Sequence, residues 1–353
     1  MVDADRVVSR ITLLDEELSF AVPSTDEAVR LPTGQVELVA TLPEYEGRGL
    51  VRALMGWAHQ RSAARGHLVQ LMVGIPYFYR IFGYSYAIDI APWREARSVL
   101  TTRSDITVRA AEVADLPAVQ ALQDQTQSRV DLRMPHSPSC WRWLLARDGS
   151  TTVVAVRDGI VVGSGRTTPP EGGVGLGEVA AQDHAVAAAL VTHAAALGGS
   201  EPLQLADRPG TAFGALVDEI ADLPRPGAQK YYLRIPDLVA LLDALRPVLE
   251  ARLAGAEVDP SAEILLSTFG AHVRMPVRDG RLDHPVGGGT LQSPHAAGGA
   301  GVAPDRVPEL LFGGLGIRGL IERYPDVYPG PHRELMEALF PPVSSDVMTF
   351  YLP

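Results

Sequence analysis

The chain has 353 residues, of which 46% are hydrophobic and 21% charged, and its net charge at pH 7 is −11. This balance is typical of a globular protein with room for two or three domains. The acidic charge argues against nucleic acid as a partner, because contacts to phosphates need basic patches. It suits cationic partners such as amines, although a solvated acidic surface is the more common reason for such a charge.

The sequence does not favour a metal site or a membrane-spanning segment. The single cysteine, Cys140, excludes an internal disulfide framework and a multi-cysteine zinc site. The nine histidines show no metal-ligand spacing, so we predict no metal site. The first residues lack a signal-peptide pattern, and no run approaches the roughly 18 apolar residues of a membrane span. We therefore expect a cytoplasmic protein without a membrane span.

Residues 1–104 form the first segment. Arg10–Phe20 and Gln35–Thr41 are predicted to be extended. Apolar residues at helical spacing from Leu50 onward predict a helix that ends at Gly66. Leu68–Val73 is predicted to be the next strand. Strand, glycine turn, helix and strand form a βαβ unit, whose two strands should lie parallel in one sheet.

Residues 105–235 repeat this order. Ile106–Arg109 is predicted to be a strand, and Asp158-Gly159 is a strong hairpin signal between two apolar runs. A strand at Glu178–Ala181 then precedes an alanine-rich helix at His184–Leu197. The repetition predicts a second copy of the first fold.

Residues 236–353 have a mixed α+β pattern. An apolar stripe from Leu238 to Leu253 predicts one long helix with a kink at Pro247. Ile264–Phe269 and His272–Val277 are predicted strands. Gly287–Gly301 is rich in glycine, alanine and proline, which is typical of a mobile loop.

The segment Val36–His59 contains the first motif with chemical meaning. Its turn, Gly47 to Val51, joins a strand to a helix, and the unpaired N–H groups of such a helix start can bind a pyrophosphate. Glycines let the backbone approach phosphates without a Cβ clash. Arg48 and Arg52 would add positive charge.

A second cluster, Gly74–Tyr84, follows the next predicted strand at the carboxyl end of the sheet, where ligands tend to bind. Together the two motifs resemble the GNAT acetyltransferases, and more closely their Eis-like subfamily. The family turn has Arg or Gln, two residues, Gly, one residue, then Gly or Ala. Only Gly49 matches that turn here, since Glu46 and Val51 stand at its other defined positions, whereas Leu31–Tyr84 as a whole is a specific match.

The resemblance implies a layout for the whole chain. A GNAT-like catalytic domain, shortened at its N-terminus, would occupy residues 1–104, and a degenerate GNAT-like domain residues 105–235. A sterol-carrier-like α+β domain would occupy residues 236–353. The fold class would therefore be α/β and α+β. Eis-like proteins also imply a homo-oligomer, specifically a hexamer.

The resemblance further implies roles for individual residues, each of which also has a purely structural explanation. Main-chain groups of one strand would pair with the pantetheine arm of acetyl-CoA, namely Val39, Ala40 and Thr41. The turn and first helical residues would hold the pyrophosphate, namely Gly47, Arg48, Gly49, Leu50, Val51 and Arg52. Gly74 and Ile75 would line the arm from the other side.

Tyr79 matches the general acid of the family, because a phenol stays protonated at neutral pH and can protonate a departing thiolate. Tyr77, Tyr84 and Tyr86 are nearby competitors. The carboxylate of Pro353 matches a chain end that reaches the active site in the family, although an apolar structural tail explains this end equally.

These inferences predict an acetyl-CoA-dependent N-acetyltransferase in which an amine attacks the thioester directly. The acceptor is a small-molecule or peptide amine that the sequence does not identify, since aminoglycosides, polyamines and lysine side chains all fit. The alternative is a catalytically inactive GNAT scaffold that acts as a ligand-binding protein, which the glutamate at position 46 favours.

Overall fold

A computed structural model describes residues 1–98, 105–169, 173–224, 229–256 and 263–347. Within those limits the chain divides into two compact units. Of the described residues, the first unit holds those within 1–89 and 230–345, and the second holds those within 90–229 together with residues 346 and 347. The first unit therefore joins two stretches that are far apart in sequence. The three-domain division at residues 104 and 235 stays a prediction.

The first part of the chain is mainly extended. Its strands are β1 (Val2–Asp3), β2 (Arg6–Val7), β3 (Ser9–Ala21), β4 (Ala28–Thr41), β5 (Val69–Met72), β6 (Ser85–Asp89) and β7 (Trp93–Glu95). Helix α1 (Leu50–Ala64) lies between β4 and β5, and short 3-10 turns occur at Pro43–Tyr45 and Phe78–Phe82.

The middle part alternates strands and helices. Its strands are β8 (Thr107–Ala110), β9 (Leu132–Met134), β10 (Thr151–Arg157), β11 (Ile160–Thr167), β12 (Val174–Ala181) and β13 (Leu203–Ala206). Its helices are α2 (Leu116–Gln127), α3 (Pro138–Ala146), α4 (His184–Gly198) and α5 (Ala212–Ile220), with a 3-10 turn at Val113–Asp115.

The last part is a mixture of short elements. Its strands are β14 (Lys230–Arg234), β15 (Ile264–Ser267), β16 (His272–Met275), β17 (Val277–Arg278), β18 (Arg281–Leu282), β19 (Val286–Gly288), β20 (Ala300–Val302), β21 (Val327–Tyr328) and β22 (Ser345–Val347). Its helices are α6 (Leu238–Ala244), α7 (Arg246–Ala254), α8 (Val307–Phe312), α9 (Gly316–Arg323) and α10 (Arg333–Leu339), with 3-10 turns at Pro294–Ala297 and Pro304–Arg306.

The main sheet of the first unit contains five of its strands in the order β3-β4-β5-β14-β6. Strands β3 and β4 form a long antiparallel hairpin, and β4 pairs with β5 in parallel. The predicted βαβ unit is therefore confirmed. Strand β14 lies between β5 and β6 and is antiparallel to both, so the chain returns to complete this sheet after an excursion of about 140 residues.

One core cluster of the first unit lies between this sheet and α1. It contains the buried side chains of Val36, Met55, Ala58, Met72, Tyr79, Tyr84 and Tyr232. Helix α1 buries one face, with Met55, Ala58 and Ser62, because these residues are spaced three and four apart. A separate five-stranded sheet of the same unit has the order β19-β16-β15-β20-β21.

The second unit is built on a six-stranded sheet with the order β7-β13-β12-β11-β10-β8. Asp158 and Gly159 both have positive φ values, 51° and 78°, between β10 and β11, which confirms the predicted hairpin. Strand β12 runs parallel to β13 with α4 between them in sequence. The alanine-rich α4 is buried on most sides and supplies much of this unit's core.

Two predictions for the last part were wrong. The long helix from Leu238 to Leu253 is in fact two helices, α6 and α7, which meet at Leu245 because Pro247 can occupy only the first turn of a helix. Gly287–Gly301 is not a plain loop, since it includes parts of β19 and β20. Its glycines allow close packing: a Cβ at Gly299 would lie 2.4 Å from the Leu265 side chain.

Candidate active site

A cavity of about 520 Å³ opens in the first unit where β4 ends and α1 begins. We call it the β4–α1 cleft. It brings together nine of the residues predicted for the site: Val39, Ala40, Thr41, Gly47, Gly49, Leu50, Val51, Ile75 and Tyr79. Tyr45, Glu46 and Phe78 also line it and were not predicted.

The divergence of β4 from β5 creates this cleft. The parallel pairing of the two strands runs from Thr33 only to Gln35, which is opposite Leu71. Beyond it, Leu38 has a φ of +53°, and β4 has one residue more than β3 between adjacent pairs, which defines a bulge. Ala40 and Thr41 stay paired with β3, Val39 lies in the bulge, and all three residues line the cleft.

The start of α1 forms the far end of the cleft. Gly49 is the N-cap residue, with a φ of +76°, and Gly47 has a φ of +72°. Side chains disfavour this left-handed conformation, so both positions suit glycine. No side chain caps α1, and its first turn contains no acidic residue. The first N–H groups of the helix are therefore available to an anion.

Three predicted residues do not line the cleft. Arg48 donates a hydrogen bond of 2.9 Å to the Glu44 carbonyl and lies over the Tyr45 ring. Arg52 lies near the ring of Phe82 instead. Gly74 packs against the ring of Tyr79. The predicted carboxylate of Pro353 lies outside the described residues.

Tyr79 lies on the 3-10 turn after β5 and is buried, with 4% of its surface exposed. A Cβ at Gly74 would be only 2.4 Å from the Tyr79 ring, so glycine is required for the ring to take this position. Burial, and secondarily the negative charge of Glu37, raises the pKa of Tyr79. The phenol therefore keeps its proton over the whole neutral range.

The three competing tyrosines do not line the cleft. Tyr77 is 72% exposed. Tyr84 is buried, and its hydroxyl is 3.2 Å from Nε2 of His59. Tyr86 stacks on Tyr232, with ring centroids 4.1 Å apart.

Glu37 is a functional candidate that the sequence analysis did not identify. Its side chain is nearly buried at the point where β4 leaves β5, and Oε1 accepts hydrogen bonds from Gln35 Nε2 at 2.9 Å and the Val73 N–H at 3.4 Å. Burial outweighs these two bonds and raises the pKa of Glu37 to about 7. A signal was present in the sequence, because Glu37 is the one charged residue in the apolar run Val36–Thr41.

Tyr232 of β14 supports the turn that carries Tyr79. Its hydroxyl accepts a 2.6 Å hydrogen bond from the Tyr77 N–H and lies 3.5 Å from the Ile75 carbonyl. Its ring also meets that of Tyr79 at 6.1 Å, edge to face. Tyr77 has a φ of +69°, which is unfavourable for a tyrosine, so these contacts hold a strained turn in place.

The second unit has a bulge in β12 like the one in β4, but here side chains of the protein occupy the hydrogen-bonding groups around it. Glu178 in β12 has a φ of +50°, and its carbonyl accepts a 2.5 Å hydrogen bond from Gln123. Arg208 donates to the carbonyl of Val179 at 2.9 Å. At the start of α4, the Asp183 carboxylate caps the Val186 N–H at 2.9 Å. The protein's own side chains thus satisfy the groups that remain free in the β4–α1 cleft.

Neither a metal centre nor a membrane span was found in the described ranges. There, no three His, Cys, Asp or Glu side chains are grouped so that they could hold a metal ion. Nor does any helix in those ranges have the length and apolar character needed to cross a membrane.

Comparisons with known proteins agree with this geometry. Residues 1–87 match the family model of the acetyltransferase (GNAT) domain. No curated protein sequence matches the chain.

Several solved structures share the fold. A GCN5-related N-acetyltransferase from Kribbella flavida is 18% identical with a TM-score of 0.62, and the match covers 99% of this chain and 86% of that one. One from Anabaena variabilis ATCC 29413 is 16% identical with a TM-score of 0.66, covering 95% and 85%. Eis1 from Mycobacterium abscessus is 19% identical with a TM-score of 0.59, covering 99% and 89%. The predicted resemblance is thereby confirmed: residues 1–87 match the GNAT acetyltransferase family model, and the chain shares its fold with solved GNAT proteins that include an Eis protein.

Proposed function

We propose that the protein transfers an acetyl group from acetyl-CoA to the amino group of an acceptor. One observation carries the proposal: a free strand edge, an uncapped helix start and a buried phenol meet in the β4–α1 cleft. These are the groups needed to hold a thioester with a diphosphate and to protonate its leaving group.

The cleft suits the donor at both of its ends. Main-chain groups of Val39 to Thr41 would pair with the amides of the pantetheine arm, as an added strand pairs with a sheet edge. The N–H groups that follow Gly49 would bind the pyrophosphate, since a helix start attracts negative charge. Glycine at positions 47 and 49 leaves open space there, because a Cβ at either would meet no atom within 4 Å.

The proposed chemistry uses Tyr79, which lines the cleft, and Glu37, whose charge acts on Tyr79. As the amine nitrogen bonds to the acyl carbon, the carbon–sulfur bond breaks and Tyr79 donates its proton to sulfur. Main-chain N–H groups of β4 would stabilise the charge on the acyl oxygen. Glu37 accepts the proton that the amine loses, and its return to Tyr79 leaves a net transfer of one proton from nitrogen to sulfur.

Glu37 suits the role of base better than the predicted terminal carboxylate. A base works best when its pKa lies near the working pH, and the pKa of Glu37 is raised to about 7 by burial. A terminal carboxylate ordinarily has a pKa near about 3.5. The carboxylate of Pro353 is therefore proposed only to orient the amine.

The proposal is tested by measuring CoA release with a panel of amines that includes aminoglycosides, polyamines and lysine peptides. Wild-type protein should release CoA with at least one of them and should show binding heat with acetyl-CoA in calorimetry. If wild-type protein shows no binding heat with acetyl-CoA and releases no CoA with any of the amines, the proposal is refuted.

The alternative, an inactive scaffold that binds a ligand, is favoured by one feature. Glu46 lines the cleft close to the proposed pyrophosphate site, where its negative charge opposes a phosphate, while Arg48 is turned to the Glu44 carbonyl. Glu46→Gln separates the two functions. It should tighten CoA binding if the cleft is a donor site, and it should change nothing if no CoA binds.

A further inference from the structure

A second and larger cavity, of about 800 Å³, lies in the first unit and shares no lining residue with the β4–α1 cleft. Its volume is within the range of about 300 to 1,000 Å³ that is usual for small-molecule sites. The stretch Arg234–Val239 between β14 and α6 forms one part of it, and β16, β19 and residues 304–308 contribute the others. We call it the C-terminal cavity.

The lining of the C-terminal cavity is largely aliphatic. Ile235, Leu238 and Val239 face it and are only half-buried. Glycines of β19 bring the backbone close: a Cβ at Gly287 would lie 3.0 Å from the Val239 side chain, and one at Gly288 would lie 2.2 Å from the His272 ring. The half-buried aliphatic groups would leave water if an apolar ligand entered.

Two of the polar groups that line the C-terminal cavity are already engaged. The carboxylate of Asp237 accepts hydrogen bonds from the N–H groups of Val239 and Ala240 at 2.9 and 3.1 Å, which caps α6. The Thr268 hydroxyl donates to the Ala271 carbonyl at 3.1 Å.

Arg234 and His272 keep unused hydrogen-bonding capacity. Arg234 donates one N–H to Gln70 Oε1 at 2.8 Å, and among the described residues no carboxylate forms an ion pair with it. A guanidinium has five N–H donors, so several remain for a ligand. Nδ1 of His272 bonds the Gly289 carbonyl at 2.7 Å, which leaves Nε2 without a partner in the described part of the chain.

We propose that the C-terminal cavity binds a small amphipathic monocarboxylate, with its apolar body against the aliphatic lining and its carboxylate on Arg234. The charge decides the class of ligand. Among the described residues the cavity's one arginine, Arg234, has no paired carboxylate, whereas the cavity's one carboxylate, that of Asp237, is used as a helix cap. An anionic head group therefore gains charge-assisted hydrogen bonds that a neutral or cationic head group does not.

The test uses the full chain and three probes with the same apolar chain: decanoate, decan-1-ol and decyltrimethylammonium, each below its micelle concentration. None of them can be acetylated on nitrogen. Calorimetry should show decanoate binding about tenfold or more tighter than either other probe. Equal binding of all three probes, or no binding, would overturn the proposal.

Two variants locate the site. Arg234→Met keeps the length of the side chain but removes the charge, so it should abolish the preference for decanoate over decan-1-ol. Arg274→Met is the matched control, because Arg274 lies on β16, pairs with Glu263 and does not line the cavity. Its preference for decanoate should equal that of the wild type. A preference that survives in Arg234→Met would contradict the proposal.

Val239→Trp provides a second measurement that does not depend on Arg234. The larger ring should fill the cavity and weaken decanoate and decan-1-ol alike by tenfold or more, while CoA affinity changes less than twofold. Undiminished decanoate binding in Val239→Trp would overturn the proposal even if Arg234→Met failed to fold. None of these measurements involves acetyl transfer, so their outcome is separate from that of the proposed function.

Discussion

The buried carboxyl of Glu37 makes a prediction about stability that can be worked out from the structure. Its pKa rises from 4.5 to about 7 on folding because burial disfavours the charged form. At about 1.4 kcal/mol per pKa unit, this rise corresponds to about 3 kcal/mol. Because the pKa is raised, the contribution is present below pH 4.5 and is lost as the pH rises through about 7.

Glu37→Gln keeps an oxygen that can accept hydrogen bonds from Gln35 and the Val73 N–H, and it removes the ionisation. We expect the variant to gain stability relative to the wild type as the pH rises from about 4.5 to about 8, by up to about 3 kcal/mol. Urea unfolding of both proteins at the two pH values measures this difference. If the difference between the two proteins is the same at both pH values, the reasoning is refuted.

The same variant separates the effect of the Glu37 carboxyl on stability from its effect on catalysis. If Glu37 is the base, CoA release by the wild type should rise with pH through about 7, and Glu37→Gln should lower it by roughly a hundredfold or more despite the gain in stability. If Glu37→Gln is more stable than the wild type and equally active, Glu37 affects stability only and is not the base.

Further predictions concern the cleft and the second unit. Tyr79→Phe should reduce CoA release about a hundredfold or more while CoA affinity in calorimetry changes less than twofold. Gly49→Ala should cost about 1 kcal/mol in urea unfolding, because its φ of +76° strains any side chain, and should also weaken CoA binding. Tyr232→Phe should accelerate hydrogen exchange of the Tyr77 amide and lower turnover, because it removes the hydroxyl that accepts from that amide. Tyr231→Phe, one residue away, is the control and should leave the Tyr77 amide protected. Equal exchange in both variants would argue against the support role of Tyr232. Glu178→Gln should destabilise the protein by about 3 kcal/mol or more at neutral pH, since it leaves the buried His136 and Arg166 without their carboxylate; an unchanged unfolding curve would contradict this.

Local patterns in the sequence predict the elements around the cleft well. The spacing from Leu50 and the glycines at 47 and 49 define the start of α1, because a left-handed residue before a helix is a local requirement. The parallel pairing of β4 and β5 follows from the handedness of βαβ crossovers. These rules place the end of β4 and the start of α1 together, whereas the assignment of Val39 to Thr41 and Tyr79 to one site comes from the resemblance to the GNAT family.

The same local rules do not predict which strands pair when they are far apart in sequence. Nothing in Lys230–Arg234 shows that this strand lies between β5 and β6, so the support of Tyr79 by Tyr232 could not be anticipated. The side-chain directions of Arg48 and Arg52 depend on Tyr45 and Phe82, which lie outside the glycine turn. A strand pattern does not identify Glu37 as a functional residue, because a carboxyl in an apolar strand acquires its chemistry from burial, which the pattern does not specify.

The position of β14 has a consequence for how the chain folds during synthesis. Strands β5 and β6 have no hydrogen bonds to each other and are joined only through β14. When the ribosome has released the residues up to β6, the edge of β5 is therefore still unpaired. It stays unpaired until more than 140 further residues, up to and including β14, have been synthesised. An exposed strand edge can pair with another nascent chain. The sheet that carries the β4–α1 cleft is thus expected to form only late in translation, and a fragment that ends after β6 is expected to aggregate.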